Sequence, residues 1–265
     1  MSDATTRLPS ALALVPGQIV AATKVTVREP STLFFTVAFP VAFYVAFSLI
    51  GIDVPGGGFA QFFAPGMITF GVVSSSFSGL AIGAVFAREA GVLKRWRGTP
   101  LPPSSLMAGR IGASGAAALL GIVVVLGYAV VVQGLVLEAR AVPVLVVVLV
   151  LGTVAFSALG LAVTAIIPTG NAAVAVTNAI VFPLNFVSGI FYPIDGLPGW
   201  LQVVAESLPV YPLAHALRVA VDPATTGLGL AWPQLAVVTA WGVAGCLLAL
   251  RFFRWEAKGE QASRG

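Results

Sequence analysis

The sequence holds a single cysteine, Cys246, and a single histidine, His215. One thiol cannot close an intrachain disulfide, and one imidazole without a cysteine partner cannot build a metal cluster. Charge is scarce as well. Only 9% of the residues are Asp, Glu, Lys or Arg, whereas about a quarter are charged in an ordinary soluble domain. Too few ionisable groups remain to clothe a surface that faces water. No GxxxxGK[ST] phosphate loop occurs, and Lys258-Gly259-Glu260 does not approximate one. With no acid–base pair, activated nucleophile or ligand cluster in view, catalysis and a resident cofactor or metal are not expected of this chain.

Apolar residues are what the sequence has in abundance: 58% are hydrophobic and the mean hydropathy is +0.99. Lipid is therefore the expected main solvent. A bilayer core about 30 Å thick takes roughly 20 apolar residues per helical crossing, and long charge-free stretches supply six such spans. The first runs from Ser31 to Ile52. The second is read as Met67 to Ala87, because Pro55-Gly56-Gly57-Gly58 and Pro65-Gly66 mark breaks before it. Ile111 to Leu137 gives the third. Ala141 to Tyr192 is too long for one crossing, and Pro168-Thr169-Gly170 divides it into a fourth and a fifth span. The last is Trp232 to Leu250.

The basic residues set the orientation, since cytoplasmic loops retain Lys and Arg. With both ends of the chain inside, all of the 14 cations except Arg140 and Arg218 fall in inner segments. The pI near 9.6 thus reports topology rather than nucleic-acid binding. Arg251-Phe252-Phe253-Arg254-Trp255 reads as an interfacial anchor. Residues 11 to 28 read as a helix on the cytoplasmic membrane surface, with Ile19, Ala22 and Val25 on its apolar face; a cleaved signal peptide is the alternative. Between Pro193 and Leu230, five prolines alternate with apolar clusters around Glu206, His215 and Arg218. Short helices entering the outer leaflet and returning fit this pattern, and a surface loop is the alternative.

None of the spans carries Asp, Glu, Lys, Arg or His between its flanking charges, which disfavours a proton-coupled carrier. Polar residues are still present. Ser74, Ser75, Ser76, Ser78, Gly79 and Gly83 make the second span rich in small residues, suited either to close packing or to a moving conduit wall. Asn171, Asn178 and Asn185 recur every seven residues and so drift only about 20° per step. They form one stripe, in which Asn171 could cap the helix after Gly170, while Asn178 and Asn185 either line a path or bond a neighbouring helix. Ser75, Ser78, Asn178 and Asn185 are the candidate path residues.

Three segments resemble the membrane subunits of ABC-2 type exporters. The first is Arg88-Glu89-Ala90-Gly91 through Leu93-Lys94-Arg95-Trp96-Arg97-Gly98-Thr99-Pro100-Leu101. The second comprises Phe182-Pro183-Leu184, Ser188-Gly189, Tyr192-Pro193 and Leu197-Pro198-Gly199-Trp200-Leu201. The third is Leu208-Pro209-Val210-Tyr211-Pro212-Leu213 leading to Arg218, with Leu208 where the family has Asn. The resemblance implies an all-α membrane protein: residues 1–30 a cytoplasmic amino end with an interfacial helix, 31–250 a six-span domain, and 251–265 a cytoplasmic tail. It also implies a cytoplasmic coupling helix and outer re-entrant helices between spans five and six.

On this resemblance Glu89, Lys94, Arg95 and Arg97 would face a separate ATP-binding subunit, which would hold the ATP and Mg. A second permease copy, identical or similar, would complete the transporter in the inner membrane. Drug-export and antibiotic-resistance permeases are the nearest relatives implied, with lipid- and polysaccharide-export permeases as cousins. A gradient-driven carrier or channel is the alternative function. The Lys/Arg asymmetry generates one test. In a Cys246→Ala background, Arg97→Cys should react with an impermeant thiol reagent only from the cytoplasmic face and Asp195→Cys only from outside; labelling of position 195 from within would overturn the topology.

Overall fold

The computed structural model describes residues 11–28, 30–51, 58–97 and 103–252, and these are helical, with no β-strand among them. Helix α1 is Ala11–Val27, and α2 runs over residues 30–50. Helix α3 is Phe59–Glu89, α4 is Val92–Arg97 and α5 is Pro103–Val131. Helices α6 (Ala141–Val163) and α7 (Gly170–Val187) form a hairpin. After a 3-10 turn at Ile194–Gly196 come α8 (Gly199–Ser207), α9 (Val210–Val221) and α10 (Trp232–Phe252). The Thr99-Pro100-Leu101 turn, the tail from residue 253 and the side chains of Lys94 and Arg97 lie outside the described residues.

Five helices are long and apolar enough to cross a membrane: α3, Met107–Val131 of α5, α6, α7 and α10. The first expected span coincides with Phe34–Ile50, an apolar helix shorter than those five. Two expected boundaries need correction. The second span does not begin at Met67, because α3 passes through Pro65-Gly66 without a break. A proline costs its helix one hydrogen bond, but a spanning helix tolerates it where neighbours and hydroxyls re-satisfy the backbone. Thr69 Oγ1 donates to the Pro65 carbonyl at 2.8 Å, and Gly66 lets the Ile190 carbonyl press against α3. Pro65-Gly66 is thus a docking point. The third span ends at Val131 rather than Leu137. Gly134 adopts φ +69, the Leu135 N–H donates to the Ala129 carbonyl at 3.0 Å, and Leu135 folds back into the core, a left-handed helix stop.

Packing is governed by glycines. In lipid, helices associate by close contact rather than by water exclusion, so small residues mark the interfaces. Helix α1 lies along the first half of α5, with Gln18 over Gly109 and Ile19 over Gly112. Val25, expected on the apolar face of this helix, is 67% exposed at the protein surface. Helix α10 lies along α6, where Gly242 meets Ala155 and Gly245 meets Leu159. Helix α9 enters the middle of the bundle, and its Leu213 occupies the space that a Cβ on Gly152 of α6 would need. The main core cluster has Phe63 and Met67 of α3, Phe156 of α6 and Leu213 and Leu217 of α9 among its buried members, with two smaller clusters beside it.

Two π-helical segments interrupt the regular helices, Phe34–Ala38 in α2 and Ser74–Gly79 in α3. Each turns backbone toward a glycine. A Cβ on Gly121 would lie 2.6 Å from the Thr36 carbonyl oxygen, and one on Gly160 would lie 2.7 Å from that of Phe77. Gly160→Leu should therefore cost about 1–3 kcal/mol or more by overpacking against rigid backbone. Gly127, with nothing within 4 Å of its missing Cβ, should tolerate alanine and gain up to about 1 kcal/mol of helix propensity. Thermal unfolding in detergent checks both; equal effects would show that the α3–α6 contact is not close in the protein.

Candidate functional site

The end of the bundle that carries α4 is tied together by Arg88. Its side chain is buried, and it donates from Nη1 to the Thr164 carbonyl at 3.1 Å and from Nη2 to the Ile167 carbonyl at 2.6 Å. Thr164 caps the end of α6, where a helix leaves acceptors unpaired and its dipole favours a cation, and Ile167 lies in the loop that follows. Counted in the sequence as a topology signal and as part of a family-like segment, Arg88 is a structural clamp from α3 to the α6–α7 hairpin. Its place at the end of a charge-free stretch was the one available signal.

Glu89 sits beside the clamp. Glu89 ends α3, Ala90-Gly91 turns with Gly91 at φ +65, and α4 starts at Val92, so Glu89 lies outside the short helix that carries Arg95. The carboxylate instead abuts the first residue of α7, since a Cβ on Gly170 would lie 2.7 Å from Glu89 Oε2. An anion at a helix start is favoured by the dipole, so the acidic residue serves α7 rather than its own segment. Arg95 is exposed, and its Nη2 donates to the Ala90 carbonyl at 3.2 Å.

The candidate path residues are not brought to one surface. Ser75 is buried, donates to the Val72 carbonyl at 3.2 Å, and lines a cavity of about 460 Å³ between α1, α3 and α5. Ser78 is half-buried and does not line it. On α7, Asn171 and Asn178 are exposed while Asn185 is buried. The cap of α7 is Thr169, whose Oγ1 accepts from the Ala172 N–H at 3.3 Å, rather than Asn171. Asn185 is the unusual member: neither Oδ1 nor Nδ2 is hydrogen-bonded to another protein atom. A separate apolar groove of about 740 Å³ runs between α6, α7 and α10.

At the opposite end, the two cations outside the positive-inside pattern both hold loops. Arg218 of α9 donates from Nη2 to the Gly189 carbonyl at 2.7 Å and from Nε to that of Phe62 at 3.4 Å, with its guanidinium 4.0 Å above the Phe62 ring. Arg140 pairs with Glu138 and donates to the Asp222 carbonyl at 2.7 Å. His215 stacks on Tyr211, with ring centroids 5.7 Å apart. Among the described residues no cluster of His, Cys, Asp and Glu could hold a metal ion.

A bundle of apolar spanning helices, with charged segments at its ends and polar groups within, defines a multi-pass membrane protein. The family model for the ABC-2 type transporter matches residues 19–221. The chain belongs to that family, whose membrane domain is the transmembrane component and carries no ATPase site of its own. No curated protein matches the chain.

The unpaired Asn185 amide generates a test. Leaving such groups buried costs about 1–3 kcal/mol, so Asn185→Leu, close in volume, should raise the melting temperature in detergent. Exposed Asn178→Leu should stay within about 0.5 kcal/mol of the parent. A lower melting temperature for Asn185→Leu would mean that its amide is paired in the folded protein.

Proposed function

We propose that the chain is the permease subunit of an ATP-driven exporter that moves an amphipathic, drug-like or lipid-like substrate outward by alternating access. The observation that carries this reading is the Arg88 clamp. Helix α4, whose sequence includes Lys94, Arg95 and Arg97, docks on a separate ATP-binding subunit, which holds ATP and Mg. A displacement of α4 reaches α3 through the Ala90-Gly91 turn, and Arg88 and Glu89 pass it to the ends of α6 and α7. Helix α7 bears Asn178 and Asn185, so force applied at the nucleotide-driven end arrives at the polar groups within the bilayer.

In this arrangement Phe34–Ile50 completes six spans, both chain ends face the cytoplasm, and the protein resides in the inner membrane. Helices α8 and α9 form the outer re-entrant pair. A second copy of the permease, or a similar chain, packs beside this one to complete the transporter.

Two variants separate coupling from topology. Glu89→Lys places a cation at the start of α7 while adding to the inside-positive bias, and the pair Arg95→Glu with Arg97→Glu inverts the surface of α4. Both should insert correctly yet lose substrate-stimulated turnover of the co-purified ATPase, or lose the ATPase itself. Parental transport by both, with insertion confirmed, would show that this segment does not couple.

A further inference from the structure

The cavity between α1, α3 and α5 contains one feature that neither packing nor coupling uses. Arg110, on the second turn of α5, lines it. The guanidinium approaches Gly83 of α3, where a Cβ would lie 3.8 Å from Nη1. Its side chain has no hydrogen-bond or ion-pair partner among the described residues, and no Asp or Glu lines the cavity. Gln18 of α1 faces the same space. The hydroxyls there are turned inward: Thr26 donates to Ala22, Ser75 to Val72 and Ser114 to Arg110, each to a carbonyl of its own helix. They are left as bystanders, so the strong unused donors are those of the guanidinium. The remaining wall is apolar, including Ala22, Leu80 and Phe86.

A half-buried cation without a counter-charge is expensive near hydrocarbon, and a planar guanidinium matches a phosphate with two parallel hydrogen bonds. Basic pockets between spanning helices take the head groups of anionic lipids. We propose that this cavity binds an anionic phospholipid, with its phosphate on Arg110 beside Gln18 and its first methylenes along Leu80, Phe86 and Ala22. The volume of about 460 Å³ suits a head group and the start of its chains, and the rest of the tails continue into the bilayer. Gly83 keeps the floor open below the guanidinium. The site is independent of what the assembled transporter exports, because it requires only the described helices and the bilayer leaflet beside them.

Native mass spectrometry of the full chain in detergent tests it, with dioleoyl phosphatidylglycerol, dioleoylglycerol and inorganic phosphate as probes. The parent should retain a single phosphatidylglycerol under conditions that strip other lipid. Arg110→Gln should weaken retention roughly tenfold or more, the scale of a lost bidentate charge-assisted pair, and Arg110→Lys should weaken it less. Gly83→Leu keeps the charge but fills the cavity and should weaken retention equally; it remains informative if Arg110→Gln fails to fold. Arg28→Gln, an exposed cation at the end of α1, should leave retention unchanged. Dioleoylglycerol, which lacks the phosphate, should not be retained, and millimolar inorganic phosphate should not displace the lipid. Equal phosphatidylglycerol binding by the parent, Arg110→Gln and Gly83→Leu would overturn the proposal. So would equal retention of dioleoylglycerol, while displacement by inorganic phosphate would assign the site to a free anion instead of a lipid.

Discussion

The carbonyls of Thr36, Phe77 and Ile190 press against Gly121, Gly160 and Gly66 of facing helices, and the bundle depends on these approaches. Within lipid there is little hydrophobic gain in bringing two apolar helices together, so packing distance decides which helices pair. A glycine removes the Cβ that would hold two backbones apart. A π-helical segment, wider than an α-helix, brings its own backbone forward to meet it. Helix α3 shows the effect most fully, because Gly66 receives the Ile190 loop, Ser74–Gly79 meets Gly160, and the Phe63 and Met67 side chains fill the space between.

Arginine completes the work at the ends of the helices. Arg88 at one end, and Arg140 and Arg218 at the other, each donate to backbone carbonyls on distant parts of the chain. Charge-assisted bonds of this kind are stronger than neutral ones, and at the rim of a bilayer they suffer less screening than on an open surface. The middle of the bundle, by contrast, keeps polar groups that the fold does not pair, Ser76, Ser157 and Asn185 among them. Firm ends and an incompletely paired middle are what a bundle needs if its helices are to change position without coming apart.

Much of the architecture was legible beforehand. The five long spans, the hairpin at Pro168-Thr169-Gly170 and the helical outer segment all follow from charge-free length and from prolines, both of which are local properties. The Pro65-Gly66 pair misled because the same dipeptide that marks a turn in water permits close approach in lipid. The contact of Glu89 with the start of α7 was not legible, because the two are distant in sequence. The amide stripe was correctly periodic, yet periodicity could not tell that Asn178 faces outward while Asn185 is enclosed by the helices around it.

By itself the sequence determined that the chain lives in a membrane, that it spans it repeatedly, and where its charges must stay wet. Those outcomes depend on summed transfer free energies along continuous stretches, which a one-dimensional reading captures. Only the tertiary structure decided what each polar residue does. Whether Arg88 clamps a hairpin, Arg110 faces an apolar cavity or Arg218 stacks on Phe62 depends on which helices meet and at what distance. A difference of one methyl group at a glycine changes that distance, and its consequence appears far away in the chain.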